Sequence, residues 1–165
     1  MELTVGGWKF RVNTEETATY SKAVWEDHCT CGYCRNFYAT ILGAYPKLQL
    51  FLSQFSMDAL TPEELMPIEP NLCIASYCIS GTVLHKGNGP IDIGGITFTV
   101  TTHEQADYDT ACKIPYFVLT TGFLDLPWVL EEDMNEVVSP ANEPEYLQRM
   151  ANKLLGDIAP EKIYS

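Results

Sequence analysis

The chain has 165 residues, 46% of them hydrophobic, and its 10 basic and 22 acidic residues give a net charge of −12. This size and composition are typical of one globular domain and not of a disordered chain. The negative charge argues against binding to nucleic acid or to an anionic membrane surface, because both depend on lysine and arginine. No apolar run approaches the roughly 18 residues of a membrane span. We therefore predict a single domain over residues 1–165 that binds neither nucleic acid nor membrane.

The first half of the chain predicts a hairpin followed by helices. Apolar and polar residues alternate on both sides of the Gly6-Gly7 dipeptide, which suits a two-residue turn. A helical period then begins after Thr30, the predicted N-cap. Pro46 opens a second amphipathic helix over residues 46–56. The residues from Thr61 to Glu64 have a capping-box arrangement, which predicts a short helical turn ended by Pro67.

The second half predicts strands and one last helix. Residues 72–85, 94–102 and 115–124 are rich in β-branched and aromatic residues with alternating polarity. Residues 143–155 carry an amphipathic helical pattern that ends at Gly156. Because strands follow one another without strict helix alternation, we predict an α+β fold. It consists of a mainly antiparallel sheet of about five strands, with helices on one face and the last helix as an extension.

The N-terminal residues contain neither a basic segment nor an apolar segment of a signal peptide. This predicts a cytoplasmic protein whose six cysteines stay reduced. In such a compartment a cysteine cluster indicates metal binding, redox activity or simple burial rather than a disulfide framework.

Residues 28–36 read His-Cys-Thr-Cys-Gly-Tyr-Cys-Arg-Asn and form the densest group of reactive side chains. Cys29, Cys31 and Cys34 supply three thiolates, and tetrahedral zinc takes four ligands. His28 is the nearest fourth ligand in the sequence. Two further candidates for that fourth position are remote in sequence, namely Cys112 and His103. The first hypothesis is therefore a zinc site.

A second hypothesis is thiol–disulfide exchange by Cys31 and Cys34. At a helix N-terminus the amide groups and the helix dipole favour a thiolate at Cys31. Locally, Cys31-Gly32-Tyr33-Cys34 resembles the active site of thioredoxin-fold disulfide isomerases. That resemblance implies that Cys31 is the nucleophile, that Cys34 is the resolving thiol, and that Ile114-Pro115 is a partner loop with a cis proline.

A third interpretation assigns these cysteines no chemistry at all. Cys34 falls on the apolar stripe of its predicted helix and can act as a small core residue. Cys73, Cys78 and Cys112 lie at scattered strand and loop positions, where burial in the core is the simplest expectation.

A wider resemblance covers residues 1–132. The block from Cys29 to Tyr38 resembles the hallmark of a family of small, uncharacterised bacterial proteins. In that family a similar Cys-x-Cys-x-x-Cys-Arg-Asn-Phe block is followed by a proline-initiated amphipathic helix, here Pro46–Phe55. Antiparallel strands and a Leu-Pro-Trp-Val-Leu segment come next, here Leu126–Leu130. The resemblance implies a one-domain architecture and no activity or ligand.

No known catalytic motif contains His28, His85 or His103. We therefore expect a cytoplasmic binding domain, not an enzyme, that contacts a protein partner and whose cysteine block either stabilises the fold or holds zinc. The alternative is a thiol–disulfide oxidoreductase or redox sensor. A third possibility rests on residues 125–145, which contain seven acidic residues and no basic one and could engage a basic partner.

Overall fold

A computed structural model describes residues 1–69, 71–106 and 110–133. The predicted helix over 143–155 and most of the acidic segment 125–145 lie outside these residues. The described chain contains three helices and eight strands. In chain order they are β1 (Glu2–Val5), β2 (Trp8–Val12), α1 (Thr14–Glu26), α2 (Gly32–Ala44), α3 (Pro46–Ser53), β3 (Glu64–Glu69), β4 (Leu72–His85), β5 (Ile91–Ile93), β6 (Ile96–Thr102), β7 (Tyr116–Thr121) and β8 (Leu124–Asp125).

The α+β prediction is confirmed, and all pairs among the described strands are antiparallel. The sheet runs in the order β1-β2-β4-β7-β6-β5, and β3 and β8 also pair with β4. The prediction of about five strands was wrong, since there are eight. The additional strands are β3, β5 and β8, which have six, three and two residues. β5 and β8 are too short to carry a periodic signal, whereas β3 contains Pro67 and begins in the capping-box arrangement that predicted a helical turn.

β4 is the central strand, and it is buried on both faces from Cys73 to Gly81. β2 and β3 pair with successive halves of one edge of β4, and β7 and β8 pair with the other edge. Near Ser80, the start of α1 contacts the backbone of β4. The amide of Asn13 donates to the carbonyl of Ser80 (2.8 Å), and the amide of Ser80 donates to the hydroxyl of Thr17 (3.1 Å).

Helix α1 has no counterpart among the sequence predictions. Its buried residues are Thr17, Tyr20 and Ser21, so its inner face is polar and lacks an apolar stripe. The signal that could have found it is the cap, because the Asn13 side chain accepts the amide of Glu16. The predicted helical turn at Thr61–Glu64 was also wrong. Thr61 instead donates to the carbonyl of Asp58 (3.0 Å), and strand β3 begins at Glu64.

The core lies between the sheet and helices α2 and α3. Phe51 and Phe55 of α3 contact rings of the sheet: Phe51 lies 4.8 Å from Phe98, and Phe55 lies 5.5 Å from Phe10, measured between centroids. Phe37 and Ile41 of α2 are fully buried in the same cluster. The predicted apolar stripe of α3 is therefore confirmed, and that of α2 is confirmed at Phe37 and Ile41 but not at Leu42, which is exposed. Among the described helices, none is long and apolar enough to cross a bilayer.

Candidate metal centre

Three thiols meet in the connection between α1 and α2. The sulfur atoms of Cys29, Cys31 and Cys34 all lie within 4.8 Å of one another, and we call this group the thiol cluster. Cys29 and Cys31 are solvent-exposed, whereas Cys34 is half-buried. The three sulfur atoms lie close together because the cysteines are close in sequence. Cys29 and Cys31 belong to the segment that precedes helix α2, and Cys34 belongs to the first turn of that helix.

The predicted N-cap of α2 was one residue early. Cys31, not Thr30, is the N-cap, with φ −63° and ψ 160°, and the helix begins at Gly32. The Cys31 sulfur accepts the amide of Cys34 at 3.4 Å, in the way that a cap oxygen normally does. Sulfur is a weaker acceptor than the oxygen of Thr30 would be, but this position turns the Cys31 thiol towards Cys34.

Two sulfurs of the thiol cluster accept backbone hydrogen bonds. The amide of Cys31 donates to the Cys29 sulfur (3.5 Å), and the amide of Cys34 donates to the Cys31 sulfur. Donors of this kind stabilise a thiolate and orient it as a metal ligand. Tyr38 lies close enough to the thiols for their charges to act on its phenol. The sequence reasoning missed this neighbour, although its position one helical turn after Cys34 was a usable signal.

The thiols differ in their tendency to ionise. The amide of Cys31 lowers the pKa of the Cys29 thiol. Burial raises the pKa of Cys34, and the nearby Cys31 charge raises it further. Burial and the proximity of Cys34 also raise the pKa of Tyr38 to about 12, so its phenol stays protonated and able to donate. Ionising all three thiols therefore needs a compensating positive charge, which a bound metal cation supplies.

His28 lies next to the thiol cluster in sequence, but its ring is held elsewhere. Its Nδ1 lies 2.6 Å from the carbonyl oxygen of Trp25, and its ring stacks on the Trp25 indole at 4.2 Å. Tyr38 closes this aromatic group, with its ring centroid 5.4 Å from that of His28. The structure thus brings together the three predicted thiols and does not bring the His28 nitrogens among them.

The other cysteines occupy core positions, as predicted. Cys73, Cys78 and Cys112 are all buried. Burial raises the pKa of Cys73 to about 12, and the hydrogen bond to Cys112 is the main reason why the pKa of Cys78 is raised. The remote candidates for a fourth ligand are also engaged outside the thiol cluster. Cys112 contacts Cys78, and His103 lies against the ring of Tyr116.

The resemblance to disulfide isomerases does not extend to the fold. Helix α1 precedes the cysteine block, where those enzymes have a buried strand, and all described strand pairs are antiparallel. The Ile114–Pro115 bond is cis, and the Pro115 carbonyl accepts the amide of Gly81. Tyr33, adjacent to Cys34, reaches the carbonyl of Leu72 instead. Nine residue steps along β4 separate Leu72 from Gly81, a distance of about 30 Å at the usual strand rise.

Beside the thiol cluster, Arg35 and Glu132 form a bidentate ion pair. Both guanidinium NH groups lie 2.7 Å from the carboxylate oxygens of Glu132, and the Arg35 Nε donates to the carbonyl of Thr30. The Arg35 charge is therefore already neutralised by a partner, and the loop before Cys31 is fixed to helix α2.

The chain matches no family model, no curated protein and no solved structure in these comparisons. The resemblance to small bacterial proteins with a Cys-x-Cys-x-x-Cys-Arg-Asn-Phe block therefore stays a prediction. The functional argument rests on the geometry of the thiol cluster.

Proposed function

We propose that this protein is a zinc-binding domain that holds the ion through the thiolates of Cys29, Cys31 and Cys34. The observation that carries the proposal is the approach of three sulfur atoms to within 4.8 Å of one another, with backbone amides donating to two of them. Thiolates select soft or borderline metals, and zinc accepts them without a strong geometric demand. Hard ions such as calcium and magnesium take oxygen ligands and do not suit this group.

The proposal includes a reducing, cytoplasmic location, because thiols that are exposed in this way stay free only where disulfides do not form. It also includes a protein partner rather than nucleic acid, which the net charge of −12 disfavours. Membership of the bacterial family with the same cysteine block belongs to this proposal too. In this view zinc fixes the connection between α1 and α2 and shapes the surface that the partner contacts.

A second function, thiol–disulfide exchange, is favoured by one observation. The pKa of Cys29 is lowered, and a thiolate at this exposed position lies within reach of two further thiols. Such a thiolate could attack a disulfide, and Cys31 or Cys34 could resolve the mixed disulfide. The local resemblance to disulfide isomerases instead implies that Cys31 is the nucleophile and Cys34 the resolving thiol.

The experiment is to measure the metal content of the full chain purified under reducing conditions, together with its accessible thiols before and after chelation. We expect stoichiometric zinc and thiols that react only after the chelator is added. Cys31→Ser should lose the metal and unfold at a lower temperature, because metal binding contributes to folding free energy. Cys112→Ser, a change outside the thiol cluster, should keep the metal.

A different result would contradict the zinc-binding function. A metal-free wild-type chain that does not take up zinc, with one fast-reacting thiol and an insulin-reductase activity that Cys31→Ser abolishes, would establish the redox function instead.

A further inference from the structure

The described residues offer few ways to complete a four-coordinate site. All six cysteines and all three histidines lie within them. Among these nine side chains, only the thiol cluster brings three donor atoms within 4.8 Å of one another, and no carboxylate of the described residues joins them. The imidazole nearest in sequence, His28, is held by the Trp25 carbonyl and by stacking on the Trp25 ring. The described part of the chain thus presents three sulfur ligands to an ion that takes four.

We infer that the zinc ion of the proposed site keeps an open fourth position, which accepts a neutral imidazole-type nitrogen donor from outside the chain. This inference rests on the proposed function. Closed four-ligand sites serve folding alone, whereas sites with three protein ligands bind an exchangeable fourth one. We place the thiol cluster among the sites that have three protein ligands and an exchangeable fourth one.

The fourth position is accessible from solvent. Cys29 and Cys31 are exposed, and only Cys34 faces the protein. Aromatic rings lie beside the thiol cluster, because the thiols act electrostatically on the Tyr38 phenol and the rings of Trp25 and His28 pack against Tyr38. Trp25 is 39% exposed, so part of this aromatic surface is open to a planar heterocycle.

Charge favours a neutral donor over an anion. Three thiolates and one divalent zinc ion carry a net single negative charge. Glu26 and Asp27 precede the thiol cluster in sequence, and Arg35 is neutralised by Glu132. An added carboxylate or halide would meet this negative field, whereas imidazole would not. The donor can be the histidine side chain of a partner protein or a small imidazole compound, because both present the same nitrogen.

The test uses the full chain loaded with cobalt(II), whose visible spectrum reports ligand type and coordination number. We expect sulfur-to-cobalt charge-transfer bands in the spectrum of the loaded protein. Free imidazole, the first probe, should change this spectrum in a saturable way. Acetate should bind about tenfold more weakly or not at all. A short peptide with a single histidine is the second probe. Tighter binding of the peptide would identify a partner's side chain as the donor, and tighter binding of imidazole a small compound.

His28→Ala is the decisive variant. If the fourth position is open, the cobalt spectrum of His28→Ala equals that of the wild type, and both respond to imidazole. If His28 is the fourth ligand, the variant's spectrum differs before any addition, imidazole restores it, and the inference is overturned. A wild-type spectrum that imidazole does not change also overturns it, while zinc binding itself stands. The absence of charge-transfer bands would instead refute the proposed function.

Discussion

Asn36 and Val129 are joined by a hydrogen bond of 2.9 Å, which the amide of Val129 donates to the side-chain oxygen of Asn36. The amide nitrogen of the same side chain donates to the carbonyl of Pro127 at 3.0 Å. One buried carboxamide in α2 thus provides hydrogen-bond partners for two backbone groups, one carbonyl and one amide, in the segment that follows strand β8. This contact connects the Cys34-Arg35-Asn36-Phe37 block to Leu126–Leu130, two motifs that are remote in sequence.

Asn36→Ala should therefore destabilise the protein. Asn36 is only 4% exposed, and its removal leaves two backbone groups of the docked segment without their partner. We expect a loss of about 1–3 kcal/mol in the free energy of unfolding, measured by urea denaturation. The control is Glu132→Gln, which weakens an exposed ion pair. Its melting temperature should be indistinguishable from that of the wild type. Equal effects of the two changes would contradict this assignment.

Phe51→Ala tests the packing of α3 on the sheet. Phe51 is 2% exposed and contacts the rings of Phe55 and Phe98. We expect a loss of about 3–5 kcal/mol in unfolding free energy, because the change removes a buried ring and leaves a cavity. Leu50→Ala in the same helix is the matched control, since Leu50 is 67% exposed and should cost under about 0.5 kcal/mol. An unchanged melting temperature in Phe51→Ala would mean that the buried face of α3 is misassigned.

Substitution by alanine should have opposite effects on stability at Gly81 and at Gly43. Gly81 has φ +151°, and a Cβ there would clash with the carbonyl oxygen of Arg11 in strand β2. Gly43 lies in helix α2 with open space around it. Gly81→Ala should therefore destabilise the sheet, whereas Gly43→Ala should stabilise the protein by up to about 1 kcal/mol. Thermal unfolding of both variants checks this, and a neutral Gly81→Ala would refute the close approach of β2 and β4.

Stability should fall in alkaline solution. Burial raises the pKa of the Cys73 thiol from 9.0 to about 12, so between these values the unfolded chain releases its proton and the folded chain keeps it. Since the folded state binds more protons, the free energy of unfolding decreases as pH rises through this window. Urea unfolding of the metal-free protein at successive pH values should show this slope. Cys73→Ala should reduce it, and an identical slope in the variant would contradict the contribution of Cys73.

Tyr38→Phe tests whether the phenol supports the Cys34 thiolate. The phenol lies beside the thiol cluster and stays protonated, so it can donate to this thiolate, whose formation burial opposes. Loss of such a second contact typically lowers metal affinity by about 10–100-fold. We expect a zinc affinity reduced by about 10-fold in competition with a chromophoric chelator. Tyr45→Phe is the control, since its hydroxyl accepts the amide of Asp125 and lies outside the thiol cluster. Equal zinc affinities for Tyr38→Phe and the wild type would show that the phenol does not support the ion.

Elements whose signal is local could be predicted from the amino-acid sequence. Gly6 and Gly7 adopt positive φ values of 55° and 81°, as a two-residue hairpin turn requires, and the predicted hairpin is confirmed. Pro46 begins α3 as predicted, because its missing amide and fixed φ suit the first helical position. The meeting of Cys29, Cys31 and Cys34 is equally local, since the three residues lie within six positions of the chain and one helix start brings them together.

Contacts between distant residues became evident only in the folded chain. Helix α1 forms although its buried face is polar, because Thr17 and Asn13 bind the backbone of β4 at Ser80. The residues after Glu64 pair with β4 as β3 and do not form a helical turn. The Trp25 carbonyl and ring hold His28 away from the thiols next to it. In the first two cases a buried polar group or an unpaired strand edge had to find a partner, and periodicity along the chain does not encode which distant group satisfies it.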